Sequence, residues 1–343
     1  MKSIERMQRV LKRQWADRRP FVPSIYEHGA AVIGETPGQT SRSADLMAAA
    51  AIESRRLYEH DIVSVGVDIY NIEAEAFGCE VSGGADGSIP GITSHPLAGP
   101  DAPDPADLPI PRPDGPNRLG LIAEASRRVV DQIGSDVWVY ACMGGPFSQA
   151  VELRGFEDFI ADICLAPERA HALLERTAEL SLAHARRLCA QGCGVYLFES
   201  WATIPLIDPR IFGAFVVPYN KRVIDAVRAE FDVPPPAVVM GGDTAVLMDF
   251  FIEVGTSLVV ADFNTDFEFM RDKIADRDMI IRGCADPKVI ERGDWEALTG
   301  SVAALARKSA GIANFVWGCG CVPLDTPAEN LLRFKDMCLA AGG

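Results

Sequence analysis

The chain has 343 residues, 48% of them hydrophobic and 24% charged, with a formal net charge of −15 and a pI near 4.8. This size suits one large barrel or two ordinary domains of a globular protein. The acidic balance argues against nucleic acid as a partner, because phosphate binding requires a basic face. The longest apolar runs are strand-length, well under the roughly 20 residues of a membrane helix, so we expect no membrane span.

Apolar runs alternate with helical patterns along the whole chain. An N-terminal helix over residues 3–18 precedes eight predicted strands, at residues 21–26, 62–67, 137–142, 195–198, 237–240, 257–261, 279–281 and 312–317. Helices are predicted after them, at residues 43–58, 118–133, 147–190, 208–230, 245–254, 267–275 and 295–310 and at the end of the chain. The pattern predicts an α/β protein with one domain, residues 1–343, folded as a closed (β/α)8 TIM barrel with its active site at the strand C-termini. The alternative is a doubly wound open sheet, although no Gly-x-Gly-x-x-Gly turn follows a strand.

One long irregular stretch follows the second predicted strand. Nine prolines lie between Pro90 and Pro116, which excludes a helix interior or a central strand over residues 90–117. A loop of this length in a compact domain is either a surface excursion or a cover over the site.

The nine cysteines are an odd number, and most lie in apolar segments. This is typical of a reducing cytoplasm rather than of a disulfide framework. The first 13 residues are charged and lack the apolar core of a signal peptide, so we expect a cytoplasmic protein. The sequence leaves a homodimer open.

Polar residues follow most predicted strands, and a parallel barrel would bring them to one site. The catalytic candidates are Asp68, Glu27, His28, Glu199 and Asp243. A carboxylate beside an imidazole can transfer protons near neutral pH, although helix caps and loop hydrogen bonds also explain such residues. The candidates for substrate binding are Tyr70, Asn71, Met143, Trp201, Gly241, Gly242, Asp262 and Trp317.

The last predicted strand ends at Gly318 and delivers Cys319 and Cys321 to its tip, before Thr326 and Pro327 begin a helix. Two thiols at a tip are candidates for metal or redox chemistry, although buried structural thiols are as common. A Cys-x-Cys pair alone offers too few ligands for a closed zinc site.

Five segments match, in chain order, the sequence motifs of one known superfamily. They are residues 68–81, Gly145-Pro146-Phe147, Phe198-Glu199-Ser200-Trp201, Pro218-Tyr219 and residues 319–330. On these the chain resembles the uroporphyrinogen decarboxylase superfamily, and its corrinoid-dependent methyltransferases (methylcobamide:coenzyme M methyltransferase-like) more than its decarboxylases. The resemblance implies a single (β/α)8 barrel and a methyltransferase. Such an enzyme moves a methyl group between a small methylated substrate or thiol and a corrinoid (cobalamin) carried by a partner protein.

The chain departs from both branches of that superfamily. The decarboxylases carry arginines after the first strand, where this chain has no arginine between Tyr26 and Arg42. The resemblance implies zinc ligands at positions that here hold Val239, Gly241 and Gly320. Whether this chain binds zinc therefore stays open. Two alternatives therefore remain: a metal-independent decarboxylase or lyase of a small acid using Asp68 and His28, and a non-catalytic binding subunit.

Overall fold

Strands and helices alternate along the chain in the computed structural model, which describes residues 1–83 and 88–342. The parallel strands are β1 (Ile62–Val65), β2 (Trp138–Gly144), β3 (Gly194–Phe198), β4 (Ala237–Val239), β5 (Leu258–Ala261), β6 (Ile280–Ala285) and β7 (Phe315–Cys319). They pair in the orders β1-β2-β3-β4 and β5-β6-β7. The predicted α/β class is confirmed.

The helices are α1 (Ser3–Leu11), α2 (His28–Val32), α3 (Pro37–Thr40), α4 (Ala44–Tyr58), α5 (Asn71–Ala76), α6 (Leu119–Ile133), α7 (Pro146–Arg154), α8 (Phe156–Leu165), α9 (Pro167–Cys189), α10 (Pro209–Ile211), α11 (Val217–Glu230), α12 (Met248–Val254), α13 (Phe267–Lys273), α14 (Pro287–Arg292), α15 (Trp295–Lys308) and α16 (Ala328–Ala341). Within the described residues, none of these helices has the length and apolarity needed to span a bilayer.

The predicted first strand, residues 21–26, forms two isolated parallel bridges, Phe21 to Trp317 and Ser24 to Cys321. Its other side contacts the start of β1, because the Asp61 N–H donates to the Phe21 carbonyl at 2.8 Å. The segment thus occupies the place of a strand between β7 and β1. Pro23 has no N–H to donate, which explains why the pairing is interrupted.

Several predicted boundaries are wrong for local reasons. The predicted helix 3–18 ends at Leu11, since Arg13 has a φ of 55°. The helices predicted over residues 147–190 are three, divided at Gly155 (φ 82°) and before Pro167, as a run of helices there predicts. The strand predicted at residues 279–281 continues to Ala285, so a charged residue lies inside β6.

Side chains of the strands alternate between two hydrophobic clusters. One cluster fills the space between the strands and the outer helices. The other is enclosed by the strands and is rich in aromatic residues, including Tyr26, Tyr140, Tyr196 and Phe198. Met7 of α1 belongs to this inner cluster, so α1 covers its N-terminal end. We call the strand side chains that point into the enclosed space the inner face, and the strand C-termini with the loops after them the tip face.

In its described part, the Pro-rich excursion contains an isolated antiparallel bridge from Ile92 to Val81 and a short 3-10 turn, Pro105–Asp107. The Arg154 guanidinium holds it by donating to the Gly99 carbonyl at 2.6 Å, and Arg169 donates to the Pro103 carbonyl at 3.0 Å. Its first residue, Pro90, accepts from Asn71 Nδ2 at 2.8 Å. The excursion therefore packs along α7 to α9 and starts at the tip face.

Candidate active site

The tip of β1 carries a buried ion-pair cluster around Asp68. Asp68 and Tyr70 both have a φ of 74°, a conformation that non-glycine residues adopt rarely and that often marks a functional site. The Asp68 carboxylate is 1% exposed and accepts from Arg118 and from Asn71. Arg118 also donates to Glu75. We call Asp68, Asn71, Glu75 and Arg118 the tip ion-pair cluster.

Glu73 lies on the buried side of α5, next to this cluster. Its side chain is 1% exposed, and Oε1 accepts from the Gly144 N–H at 3.0 Å. Burial raises the pKa of Glu73 to about 7, with the negative charge of Asp68 adding to the rise and the Gly144 N–H and the positive charge of Arg118 opposing it. Glu73 therefore holds a proton close to neutral pH, as a general acid must.

Glu199 stabilises the start of α7. Its carboxylate is fully buried and accepts from the Phe147 N–H at 3.2 Å, from the Ser148 N–H and Oγ at 2.8 Å, and from Asn220 Nδ2 at 2.8 Å. An anion at a helix N-terminus is favourable. A Cβ on Gly145 would lie 2.3 Å from this carboxyl group, so glycine is required there.

The structure places Glu27, and not His28, beside Asp68. The His28 ring pairs Nε2 with the Tyr58 hydroxyl at 2.8 Å and Nδ1 with the Leu324 carbonyl at 3.2 Å. Burial lowers the pKa of His28. Burial raises the pKa of Glu27, and a hydrogen bond from the Asp68 backbone N–H partly offsets that rise.

The tips of β4 and β5 are joined by hydrogen bonds. Asp262 Oδ2 accepts from the Gly242 N–H at 3.1 Å, and Thr203 Oγ1 donates to the Gly241 carbonyl at 2.7 Å. Asp243 is exposed and accepts from the Ala245 N–H at 3.3 Å, which is a turn contact. Three predicted residues, Gly241, Gly242 and Asp262, are thus brought together here.

The four predicted aromatic and apolar residues lie in two different regions, the strand tips and the outer cluster. Tyr70 donates to Ser200 Oγ at 2.7 Å and meets the Phe198 ring edge-on at 6.5 Å, above the inner face. Trp201 donates to Glu152 Oε1 at 2.6 Å. Met143 and Trp317 lie in the outer cluster, between strands and helices, and are not at the tip face.

The two predicted metal ligands point in different directions. Cys319 is buried in the outer cluster, whereas Cys321 is exposed at the tip face. Burial raises the pKa of Cys319, although zinc ligands must be thiolates. No group of three or more His, Cys, Asp or Glu side chains is arranged to hold a metal ion in residues 1–83 and 88–342. The donor set therefore does not fit a zinc site.

Sequence reasoning missed three charged residues: Arg118, Glu73 as a buried acid, and Arg282. Arg282 lies in the middle of β6, is 3% exposed and has no hydrogen-bond partner for Nε. A signal was present in each case. Arg118 ends the Pro-rich stretch, Glu73 follows the tip of β1, and Arg282 is the lone charge among apolar and small residues from 279 to 285.

Residues 2–340 match the family model described as uroporphyrinogen decarboxylase (URO-D). The chain belongs to this family. Over 340 residues it is 26% identical to methylcobamide:CoM methyltransferase MtbA of Methanosarcina acetivorans, covering 97% of this chain and 96% of that protein. It is 27% identical to uroporphyrinogen decarboxylase 2, chloroplastic, of Arabidopsis thaliana, but only over 63% of this chain and 55% of that protein.

A solved structure described as a methyltransferase from Methanosarcina mazei superposes with a TM-score of 0.83 at 19% identity, covering 99% of this chain and 98% of that one. This match supports the URO-D-like fold. The methyltransferase relative aligns end to end and the decarboxylase does not, which confirms the resemblance to the methyltransferase branch.

Proposed function

We propose that this URO-D-family methyltransferase moves a methyl group between a small methylated substrate or thiol and a corrinoid carried by a partner protein. The observation that carries this proposal is the end-to-end similarity to proteins named methylcobamide:CoM methyltransferases. The bound corrinoid would supply a cobalt centre that gives or takes the methyl group. This chain's own residues would hold the substrate, exclude water and manage the proton.

The tip face has features suited to a protein that presents such a group. Three large apolar side chains are exposed on the loops after β3, β4 and β5: Leu206, Val246 and Phe263, at 42%, 57% and 46%. These loops touch, because Thr203 Oγ1 donates to the Gly241 carbonyl and Thr265 Oγ1 donates to the Gly242 carbonyl at 3.2 Å. We propose that the corrinoid protein docks on this face, where it would cover these apolar side chains.

Glu73 is the residue we assign to proton transfer. When a methyl group leaves a substrate oxygen, nitrogen or sulfur, the bonding electron pair stays on that atom, which then takes a proton. Glu73 Oε1 is occupied by the Gly144 N–H, which leaves Oε2 to carry the proton. The lack of a fitting zinc donor set favours this demethylating direction over activation of a thiol acceptor.

The test follows methyl transfer spectroscopically, by the visible absorption of cobalamin. Purified protein is incubated with cob(I)alamin and methylated ethers, amines or thioethers, and in the reverse direction with methylcobalamin and thiols that include coenzyme M. We expect methyl transfer with at least one partner, slowed about 100-fold in Glu73→Gln, since general acids contribute on this scale. The exposed Glu53→Gln is the matched control and should be unchanged.

Carbon dioxide release from a small acid without any corrinoid, with no methyl transfer, would instead establish the decarboxylase alternative. Metal analysis of the same preparation adds a second check. About one zinc per chain that disappears in the Cys319→Ser/Cys321→Ser variant would contradict our reading of the donor set.

A further inference from the structure

Arg282 is a buried cation on the inner face without an anionic partner. Its neighbours in register on β5 and β7 are Val260 and Val316, both apolar and buried. Nε has no hydrogen-bond partner, and within the described residues no carboxylate lies at ion-pair distance from the guanidinium. An unpaired charge in such surroundings is costly unless something compensates it.

The backbone of the neighbouring strand leaves space for the Arg282 side chain. A Cβ on Gly318 would lie 2.6 Å from Arg282 Cγ and 2.7 Å from Cδ, so only glycine leaves space for the arginine stem. The Tyr196 hydroxyl, also on the inner face, is likewise buried without a partner. Arg282 is in register with Val260 and Val316 of the inner cluster, to which Tyr196 also belongs, so both unsatisfied donors point into the same enclosed space.

The titratable groups near Arg282 do not neutralise it. Burial raises the pKa of Cys284 to about 11, even though Arg282 opposes the shift. Burial also raises the pKa of Tyr26 and of Tyr196. These groups are therefore neutral at physiological pH, and the positive charge is left for a ligand.

A ligand would reach the guanidinium from the tip face. Cys321 is exposed there and lies within electrostatic reach of Arg282. A carboxylate matches the planar fork of a guanidinium, and its second oxygen can accept from a tyrosine hydroxyl. A carboxylate entering past Cys321 would find two unpaired donors on the inner face, Arg282 Nε and the Tyr196 hydroxyl.

We infer that the inner face binds the carboxylate of a small organic substrate between Arg282 and Tyr196, with the substrate's other end directed to the tip face at Cys321. That the other end carries the methyl group rests on the proposed function. The carboxylate site itself does not, since it can be measured without any corrinoid.

The experiment compares methoxyacetate with 2-methoxyacetamide, which has nearly the same shape and no charge, by calorimetric titration of the full chain. Wild type should bind the carboxylate at least 10-fold more tightly than the amide. Arg282→Met should lose this preference, and Arg282→Lys should retain part of it. The matched control Arg210→Met, whose side chain is 93% exposed, should bind as wild type does.

Absence of methoxyacetate binding at tens of millimolar would overturn the inference. Equal binding of the carboxylate to wild type and Arg282→Met would also overturn it, since it would place the anion elsewhere. Retained circular dichroism and cooperative unfolding in Arg282→Met would show that a lost preference is not a loss of fold. Because no methyl transfer is measured, failure here leaves the proposed methyltransferase function standing, and the reverse holds as well.

Discussion

Two buried arginines of this protein, Arg118 and Arg282, have opposite surroundings. Arg118 is 8% exposed and pairs with Asp68 and Glu75 at the tip of β1. Arg282 is 3% exposed and lies between valines on the inner face, with thiols and tyrosine hydroxyls as its polar neighbours. The protein therefore neutralises the charge of Arg118 with carboxylates, but it does not do so for Arg282.

The difference separates a structural from a binding role. The charge of Arg118 is used to fix Asp68 and the end of the Pro-rich excursion, so that cluster has little charge left for a substrate. Arg282 has no carboxylate partner among the described residues, and its neighbours are thiols and tyrosine hydroxyls. A buried charge kept without a partner is better explained by a ligand than by stability.

The largest effect is expected from Arg118→Met. The substitution leaves the Asp68 carboxylate buried without its cation, which typically costs about 3–5 kcal/mol. Urea unfolding should show a loss of that size in the free energy of unfolding. A loss below about 1 kcal/mol would mean that the tip ion-pair cluster is not the anchor that its geometry indicates.

The second prediction concerns pH, because Glu73 lies beside this cluster. Its pKa is raised from 4.5 to about 7 in the folded chain. Below pH 4.5 both states are protonated, and as the pH rises towards 7 the unfolded state loses its proton first, so folding stability falls. Each pH unit in this window costs about 1.4 kcal/mol.

Glu73→Gln removes this penalty. The stability of the variant relative to wild type should rise with pH by roughly 3 kcal/mol across the window and then level off. Urea unfolding at a series of pH values measures it, with Glu53→Gln as the surface control. A difference that does not change with pH would contradict the assignment of the proton to Glu73.

The third prediction concerns the space around Arg282. Gly318→Ala forces a Cβ against the arginine stem, and overpacking of this kind costs about 1–3 kcal/mol. Arg282→Ala in the same chain should recover part of that loss, because the Val22 carbonyl, 2.9 Å from the added Cβ, remains. Gly300→Ala, where a Cβ meets nothing within 4 Å, should cost nothing. Equal costs with and without Arg282 would break the proposed pairing of Gly318 with Arg282.

Much of the fold could be predicted because strand and helix periods are properties of local sequence. The first strand was the exception, since Pro23 interrupts its pairing and leaves only two bridges. The prediction for β6 ended too early, at residue 281, because Arg282 follows it. A charged residue resembles the end of an apolar run, and only the fold shows that it points into the enclosed space.

The candidate site was predicted less completely than the fold. Asp68, Gly241, Gly242 and Asp262 do lie at the tip face. His28 followed the same pattern, but both ring nitrogens bond to Tyr58 and Leu324, which are distant in sequence. Cys319 and Cys321 are adjacent in the pattern, but β7 ends at Cys319 and the turn that follows carries Cys321 away to the surface. Hydrogen bonds made by distant segments decide these roles, and local patterns do not contain them.

The most direct test of the contrast between the two arginines is the free energy of unfolding of Arg282→Met, measured without ligand beside Arg118→Met in the same buffer. Since Met replaces a desolvated, unpaired cation of similar length, we predict that Arg282→Met is more stable than wild type by about 1–2 kcal/mol, opposite in sign to Arg118→Met. A loss comparable to that of Arg118→Met would contradict the account, because it would show that Arg282 already has its partner within the fold.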